Sequence, residues 1–155
     1  MTQARPKPFT PTQEKIGKVV VHAMSAANTW VFRLSGGRIG GTFRGGAPVM
    51  LLTTIGRKSG QPRTAPLLYL REGDDLVIVA SMGGMSKHPI WYRNIEANPN
   101  VVVEIGSEKS KMRARRASDE EKAALWPKLV AMYADYDQYQ ARTDRNIPVI
   151  ILFPR

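Results

Sequence analysis

Val49-Met50-Leu51-Leu52-Thr53-Thr54-Ile55-Gly56-Arg57-Lys58-Ser59-Gly60-Gln61-Pro62-Arg63-Thr64-Ala65-Pro66-Leu67-Leu68-Tyr69-Leu70-Arg71 is where the pattern of the chain turns to β. Val49–Ile55 is rich in β-branched and apolar residues and reads as a strand. Gly56–Pro62 has a glycine near each end and reads as a turn, and Arg63–Arg71 reads as the returning strand. Gly73-Asp74-Asp75 then forms a second hairpin turn into Leu76–Ser81. Further out, Val101–Ile105, Lys109–Ala117 and Val149–Phe153 read as strands. In the second of these, Lys109, Lys111, Arg113 and Arg115 alternate with Ser110, Met112 and Ala114, the mark of a strand with one wet face. The total is six strands in mostly hairpin order, with few connections long enough for parallel crossovers. A mainly β fold follows, an antiparallel barrel with flanking helices at its rim.

Helices are marked by their caps. Thr10-Pro11-Thr12-Gln13 combines an N-cap, a proline at the first helical position and a capping box. Ile16, Val19, Val20, Ala23, Met24 and Ala27 follow at helical spacing, with Lys15, Lys18 and His22 off the stripe. This predicts a basic amphipathic helix over residues 11 to about 33, broken near Asn28, whose apolar face packs on the core. Contact with a membrane surface is the alternative. A short helix is expected over His88–Ala97, stopped by Asn98-Pro99. Ser118-Asp119-Glu120-Glu121 opens another that runs to about Met132. Residues 1–10 read as a disordered tail and residues 11–155 as one domain.

The chain has 155 residues and no cysteine, so thiolate metal sites and cysteine nucleophiles are excluded. No apolar run reaches the roughly 18–20 residues of a membrane span, and the polar start lacks a signal-peptide core, so a cytoplasmic protein is the default. Net charge is +10, unevenly placed. Residues 1–63 hold ten Lys/Arg against one acid, whereas residues 64–155 hold 13 against 12. Such asymmetry points to an anionic partner. Residues 35–47 form a glycine-rich loop with Arg38 and Arg44, and no G-x-G-x-x-G follows a strand.

Three segments carry candidate chemistry. The turn Gly56-Arg57-Lys58-Ser59-Gly60-Gln61-Pro62-Arg63 presents three cations on a glycine-bounded hairpin, suited to phosphate or to a short chain of carboxylates. It lacks the order of a P-loop, and an exposed basic turn that binds nothing is the plain alternative. Ser81-Met82-Gly83-Gly84-Met85-Ser86-Lys87-His88-Pro89-Ile90-Trp91-Tyr92-Arg93-Asn94 leads from a strand end through a glycine loop to a helix start, with aromatic surface where a flat ring can lie. His88 reads as a structural residue rather than a general acid. Tyr133, Tyr136 and Tyr139 recur at three-residue spacing and neighbour one another on a helix. They are substrate contacts or an aromatic packing cluster. No catalytic triad or carboxylate pair is present, so the chemistry is expected to belong to a cofactor.

With Thr53-Thr54-Ile55-Gly56-Arg57-Lys58-Ser59-Gly60-Gln61-Pro62-Arg63, and Lys87-His88-Pro89-Ile90-Trp91-Tyr92-Arg93-Asn94 followed by Asn98-Pro99, the chain resembles the deazaflavin-dependent nitroreductase and reductase family of actinobacteria. The resemblance runs from about Ile16 to the C-terminus. It implies a split β-barrel of FMN-binding type that binds coenzyme F420 in its reduced form. Arg57, Lys58 and Arg63 would bind the phosphate and the start of the oligoglutamate tail, and Ser59 and Gly60 would shape the turn. Pro66, Leu68, Val79, Ser81, Met82 and Trp91 would line the deazaflavin. Tyr133, Tyr136 and Tyr139 would border the substrate, with Tyr136, Ser81 or Tyr133 orienting it. Leu68 stands where the nitroimidazole-activating member is expected to have Tyr, and Met82 where it has Lys. The implied activity is hydride transfer to a quinone, an activated alkene or a nitroaromatic. An FMN-binding oxidoreductase on the same barrel is the second reading. A nucleic-acid-binding barrel is the third, disfavoured because the cationic strand Lys109–Arg115 carries no interleaved aromatics.

Overall fold

The computed structural model describes residues 4–155, with side chains throughout except at 21–25 and 44. The expectations for His22, Ala23, Met24, Arg44 and the first three residues of the tail lie outside the described residues. In chain order the elements are α1 (Pro11–Ser35), β1 (Thr42–Phe43), β2 (Ala47–Ile55), β3 (Pro62–Leu68), β4 (Leu70–Glu72), β5 (Asp75–Val79), α2 (Ile90–Ala97), β6 (Asn100–Ile105), β7 (Glu108–Arg116), α3 (Asp119–Met132), α4 (Asp135–Arg142) and β8 (Val149–Pro154).

Every strand pairing is antiparallel, and β2 bonds β3 as well as β6. The succession β3-β2-β6-β7-β8-β5-β4 therefore runs across the sheet, with β1 added to β2. Its two ends, β3 and β4, are one continuous stretch of chain interrupted at Tyr69. The sheet must curl for that stretch to serve both edges. This is the expected mainly β barrel-like fold with flanking helices. Among the described residues, eight strands stand where six were expected. The expected strand Arg63–Arg71 is divided at Tyr69, and the two-residue β1 lies in the glycine-rich loop.

The division has a physical cause in the pairing. β3 stays with β2 from Leu68↔Val49 to Pro62↔Ile55, whereas β4 follows β5 only from Leu70↔Val77 to Glu72↔Asp75. Ile78 and Val79 pair with β8 and have no strand neighbour on the β4 side among the described residues. The hydrogen-bond ladder is thus split between β3 and the end of β5, although the two strands remain neighbours.

Strand alternation sorts the apolar residues into two cores. Met50, Leu52, Leu76, Ile78, Val101, Val103, Met112, Ile150 and Leu152 point inside the curl with Tyr69, and Tyr92 and Ile95 of α2 join them. Val77, Val79, Val149 and Ile151 point outward and are covered by Leu129 of α3, Tyr136 of α4 and Ile147. On β7 the expected alternation is seen from Lys111 onward, with Met112 and Ala114 buried and Lys111, Arg113 and Arg115 exposed, whereas Ser110 is exposed like Lys109.

α1 departs from expectation. It runs unbroken past Asn28, capped by Thr10 and ended at left-handed Gly36. Its apolar stripe does not pack on the core, since Ile16, Val19 and Val20 are 60%, 67% and 49% exposed. The helix is anchored elsewhere. Phe32 is buried, Arg33 donates to Glu104 at 2.9 Å, and Glu14 accepts from the Ser86 backbone and hydroxyl, each at 2.8 Å. Residues 4–10 have no regular structure, yet Arg5 pairs with Asp144 and Arg142 stacks on Phe9. Among the described residues, no helix is long and apolar enough to cross a membrane.

Candidate cofactor and acceptor site

The β2–β3 turn is built from backbone bonds. Gly56 N–H donates to Gln61 O and Gly60 N–H to Gly56 O, both at 2.8 Å. Gly60 has φ +69°, a left-handed conformation that glycine adopts without strain. Gly56 has no room for a side chain, because a Cβ there would lie 2.5 Å from Ser59 Oγ. Ser59 Oγ accepts from Gln61 N–H and from Arg63. The turn is tied to α2 by Asn94, whose Oδ1 accepts from Arg57 N–H and whose Nδ2 donates to Thr54 Oγ1, both at 3.1 Å. Asn94 and Thr54 are both buried, so these bonds also satisfy polar groups removed from water. Arg57, Lys58 and Arg63 are exposed, and none takes part in an ion pair among the described residues. A fixed turn with uncompensated cations suits a polyanion.

Along β3 the half-buried Pro66 and Leu68 follow the turn. Leu68 lies five residue steps along the strand from Arg63, about 17 Å. Leu68 and Val79 share the outer core with Tyr133, Tyr136 and Tyr139. The tyrosine rings form a triangle, with centroids 5.1 Å apart for Tyr133–Tyr136, 6.0 Å for Tyr133–Tyr139 and 6.3 Å for Tyr136–Tyr139. Tyr133 and Tyr139 share a hydroxyl–hydroxyl bond of 3.0 Å. Burial pushes the phenols of Tyr133 and Tyr136 well above the usual tyrosine range, so both stay protonated and able to donate. Tyr136 is only 4% exposed. Phe43, placed by β1, lies 5.8 Å from Tyr133 and is itself 46% exposed.

Ser81 and Met82 follow β5 at the edge of this cluster, both half-buried. Met82 has φ +45°, the only positive φ outside glycine among the described residues. Gly84 packs so closely on α4 that a Cβ would lie 2.5 Å from Tyr139 O. Arg142 donates to Gly83 O at 2.8 Å. Arg145 donates to the carbonyls of Met85, Ala80 and Ser81 at 3.1, 3.0 and 2.8 Å, and lies 2.8 Å from His88 Nδ1. Burial, then the charge of Arg145, holds the His88 imidazole below its usual pKa, which favours the neutral ring. Trp91 packs on the inner core with Tyr92, on the other side of the sheet from the tyrosine triangle.

Among the expected residues, the structure thus gathers Leu68, Val79, Tyr133, Tyr136 and Tyr139, with Ser81 and Met82 at the margin. The basic turn stands at the far end of β3, and Trp91 stands apart. Arg145, Arg142, Thr54 and Phe43 were not foreseen as site residues. Asn94 ends one quoted motif and Thr54 lies in the other, and their presence in the two motifs was the available signal.

The family described as F420H(2)-dependent quinone reductase matches residues 24–154. This chain belongs to that family. It is therefore an oxidoreductase of a group whose cofactor is reduced F420. An F420H(2)-dependent quinone reductase of Mycobacterium tuberculosis is 41% identical over 128 residues, 81% of this chain and 86% of its own length. A second M. tuberculosis protein named for the same activity is 47% identical over 118 residues, 76% of this chain and 99% of its own. The solved structure of an F420-H2 dependent reductase, FDR-A, superposes with a TM-score of 0.63 at 43% identity, covering 68% of this chain and 93% of its own.

Proposed function

We propose that this chain reduces quinones, and also activated alkenes or nitroaromatics, at the split between β3 and β5. What supports this is a basic turn without carboxylate partners at one end of β3 and, at the other, Leu68 beside the half-buried Tyr133 and Tyr139. Its parts fit the group that the family uses. Arg57, Lys58 and Arg63 would hold the phosphate and carboxylates of the tail, with Ser59 and Gly60 keeping the turn in shape. Pro66, Leu68, Val79, Ser81 and Met82 would flank the ring system, whereas Trp91 stands against the inner core, across the sheet from them. When bound, reduced F420 supplies the hydride.

The chain's own part is positioning. Tyr133, joined to Tyr139 through its hydroxyl, and Ser81 would orient an acceptor oxygen, while Tyr136 stands behind them as a wall. The raised tyrosine pKa values make these phenols hydrogen-bond donors rather than bases. Water would deliver the balancing proton. Anaerobic mixing of protein and reduced F420 with menadione, 2-cyclohexenone or a nitroimidazole tests the reading. Return of the oxidised deazaflavin absorbance with menadione is expected. Reoxidation with menadione alone would confine the substrate class to quinones, and none with any acceptor would overturn the reading.

A surface role for α1 is part of this proposal. Ile16, Val19, Val20, Trp30, Val31 and Leu34 are exposed on a helix that also carries Lys15 and Lys18. Such a helix suits the headgroup region of an anionic membrane, where lipid-soluble quinones reside.

A further inference from the structure

Arg145 is half-buried and has no ion-pair partner among the described residues. Its neighbour Asp144 is engaged by Arg5 instead. The guanidinium faces four acceptors: the carbonyls of Ala80, Ser81 and Met85, and Nδ1 of His88. These acceptors span the segment that runs from the end of β5, past strained Met82 and packed Gly84, to the start of α2. A planar group with five N–H donors can bridge such scattered acceptors, and an ammonium cannot. Because Arg145 donates to Nδ1, the His88 ring must be neutral with its proton on Nε2.

We infer that Arg145 is the positioning residue of the cofactor site, holding segment 80–88 in its receiving shape, with neutral His88 as its pH-sensitive acceptor. This rests on the reading of the site given above. Protonating His88 would put an N–H on Nδ1 against the guanidinium and break the bond. The charged groups around His88 are Arg145, Arg93 and Arg116, which disfavour its cation, and Glu96, which favours it. The folded state therefore prefers the neutral ring. The contribution is fully present above the unfolded pKa of about 6.5 and is lost as pH falls through the lower folded value.

Fluorescence titration of oxidised F420 into the full-length protein, between pH 5 and 8, tests this without turnover. The wild-type dissociation constant should be flat above the lowered folded pKa of His88 and rise as pH falls through it. Arg145→Lys keeps the charge but should weaken binding roughly ten- to hundredfold, the scale of losing one or two hydrogen bonds to a charged group. His88→Asn keeps an acceptor but cannot titrate, so it should bind well and lose the acid limb. In the menadione assay Arg145→Lys should raise KM for reduced F420 more than it lowers kcat. Wild-type binding with an unchanged Arg145→Lys, or an acid limb that persists in His88→Asn, would overturn this inference alone. Failure of the wild-type to bind F420 would overturn the reading of the site and the inference with it.

Discussion

Asn94 is 1% exposed and joins three segments: α2 through its own backbone, β2 through Thr54, and the basic turn through Arg57 N–H. Asn94→Ala leaves a buried hydroxyl and a backbone donor without their partner. The cost should be about 2 kcal/mol, which for a chain of this length lowers Tm by roughly 4–8 °C. Thermal denaturation followed by circular dichroism measures it. F420 titration of the same variant should show weaker binding, because the turn loses its tether. An unchanged Tm would mean that water replaces the amide at no cost. Both residues were visible as parts of the two quoted motifs, but their bond was not, since 40 positions separate them. Arg145 was less legible still. It lies in the polar run Thr143-Asp144-Arg145-Asn146, which has no period, and its acceptors are 57 to 65 positions away.

α1 shows what helical periodicity can and cannot say. Spacing identified an apolar stripe, but it carries no information about what covers that stripe. Packing on the core was expected because it is the usual fate of such a face. Instead the helix is held near its ends by Glu14, Phe32 and Arg33, and its stripe remains exposed. Val19→Glu should therefore change stability by less than about 0.5 kcal/mol, as for an exposed site. It should nevertheless reduce co-sedimentation with vesicles containing phosphatidylglycerol by severalfold, since a carboxylate opposes both burial and anionic lipid. Equal sedimentation of variant and wild-type would count against membrane contact. The strands were more legible, because alternation and turn residues are local. Their division was not: Leu67, Leu68, Tyr69 and Leu70 alternate between inner and outer cores without a break. The split arises only because β3 follows β2 while β4 follows β5, a choice made between distant segments.

Across the whole molecule, the excess of cations in residues 1–63 converges with the exposed turn at 57–63, whose charges lack carboxylate partners. Both features were present in the sequence, and the structure adds that β3 leads from this turn to Leu68 and the tyrosine cluster. A polyanionic tail gripped there would give affinity that fades with salt, while a ring held farther along β3 would keep its contacts. The most direct measurement is a fluorescence titration of F420 into wild-type protein and Arg57→Ala/Lys58→Ala, at low and high ionic strength. Loss of two charge-assisted contacts should raise the dissociation constant roughly ten- to hundredfold at low salt, with a smaller salt dependence in the variant. The menadione-dependent rate at saturating cofactor should stay within about threefold of wild-type, since the tail grip serves binding rather than hydride transfer. Equal affinity and equal salt dependence in the two proteins would contradict the assignment of the basic turn to the cofactor's tail.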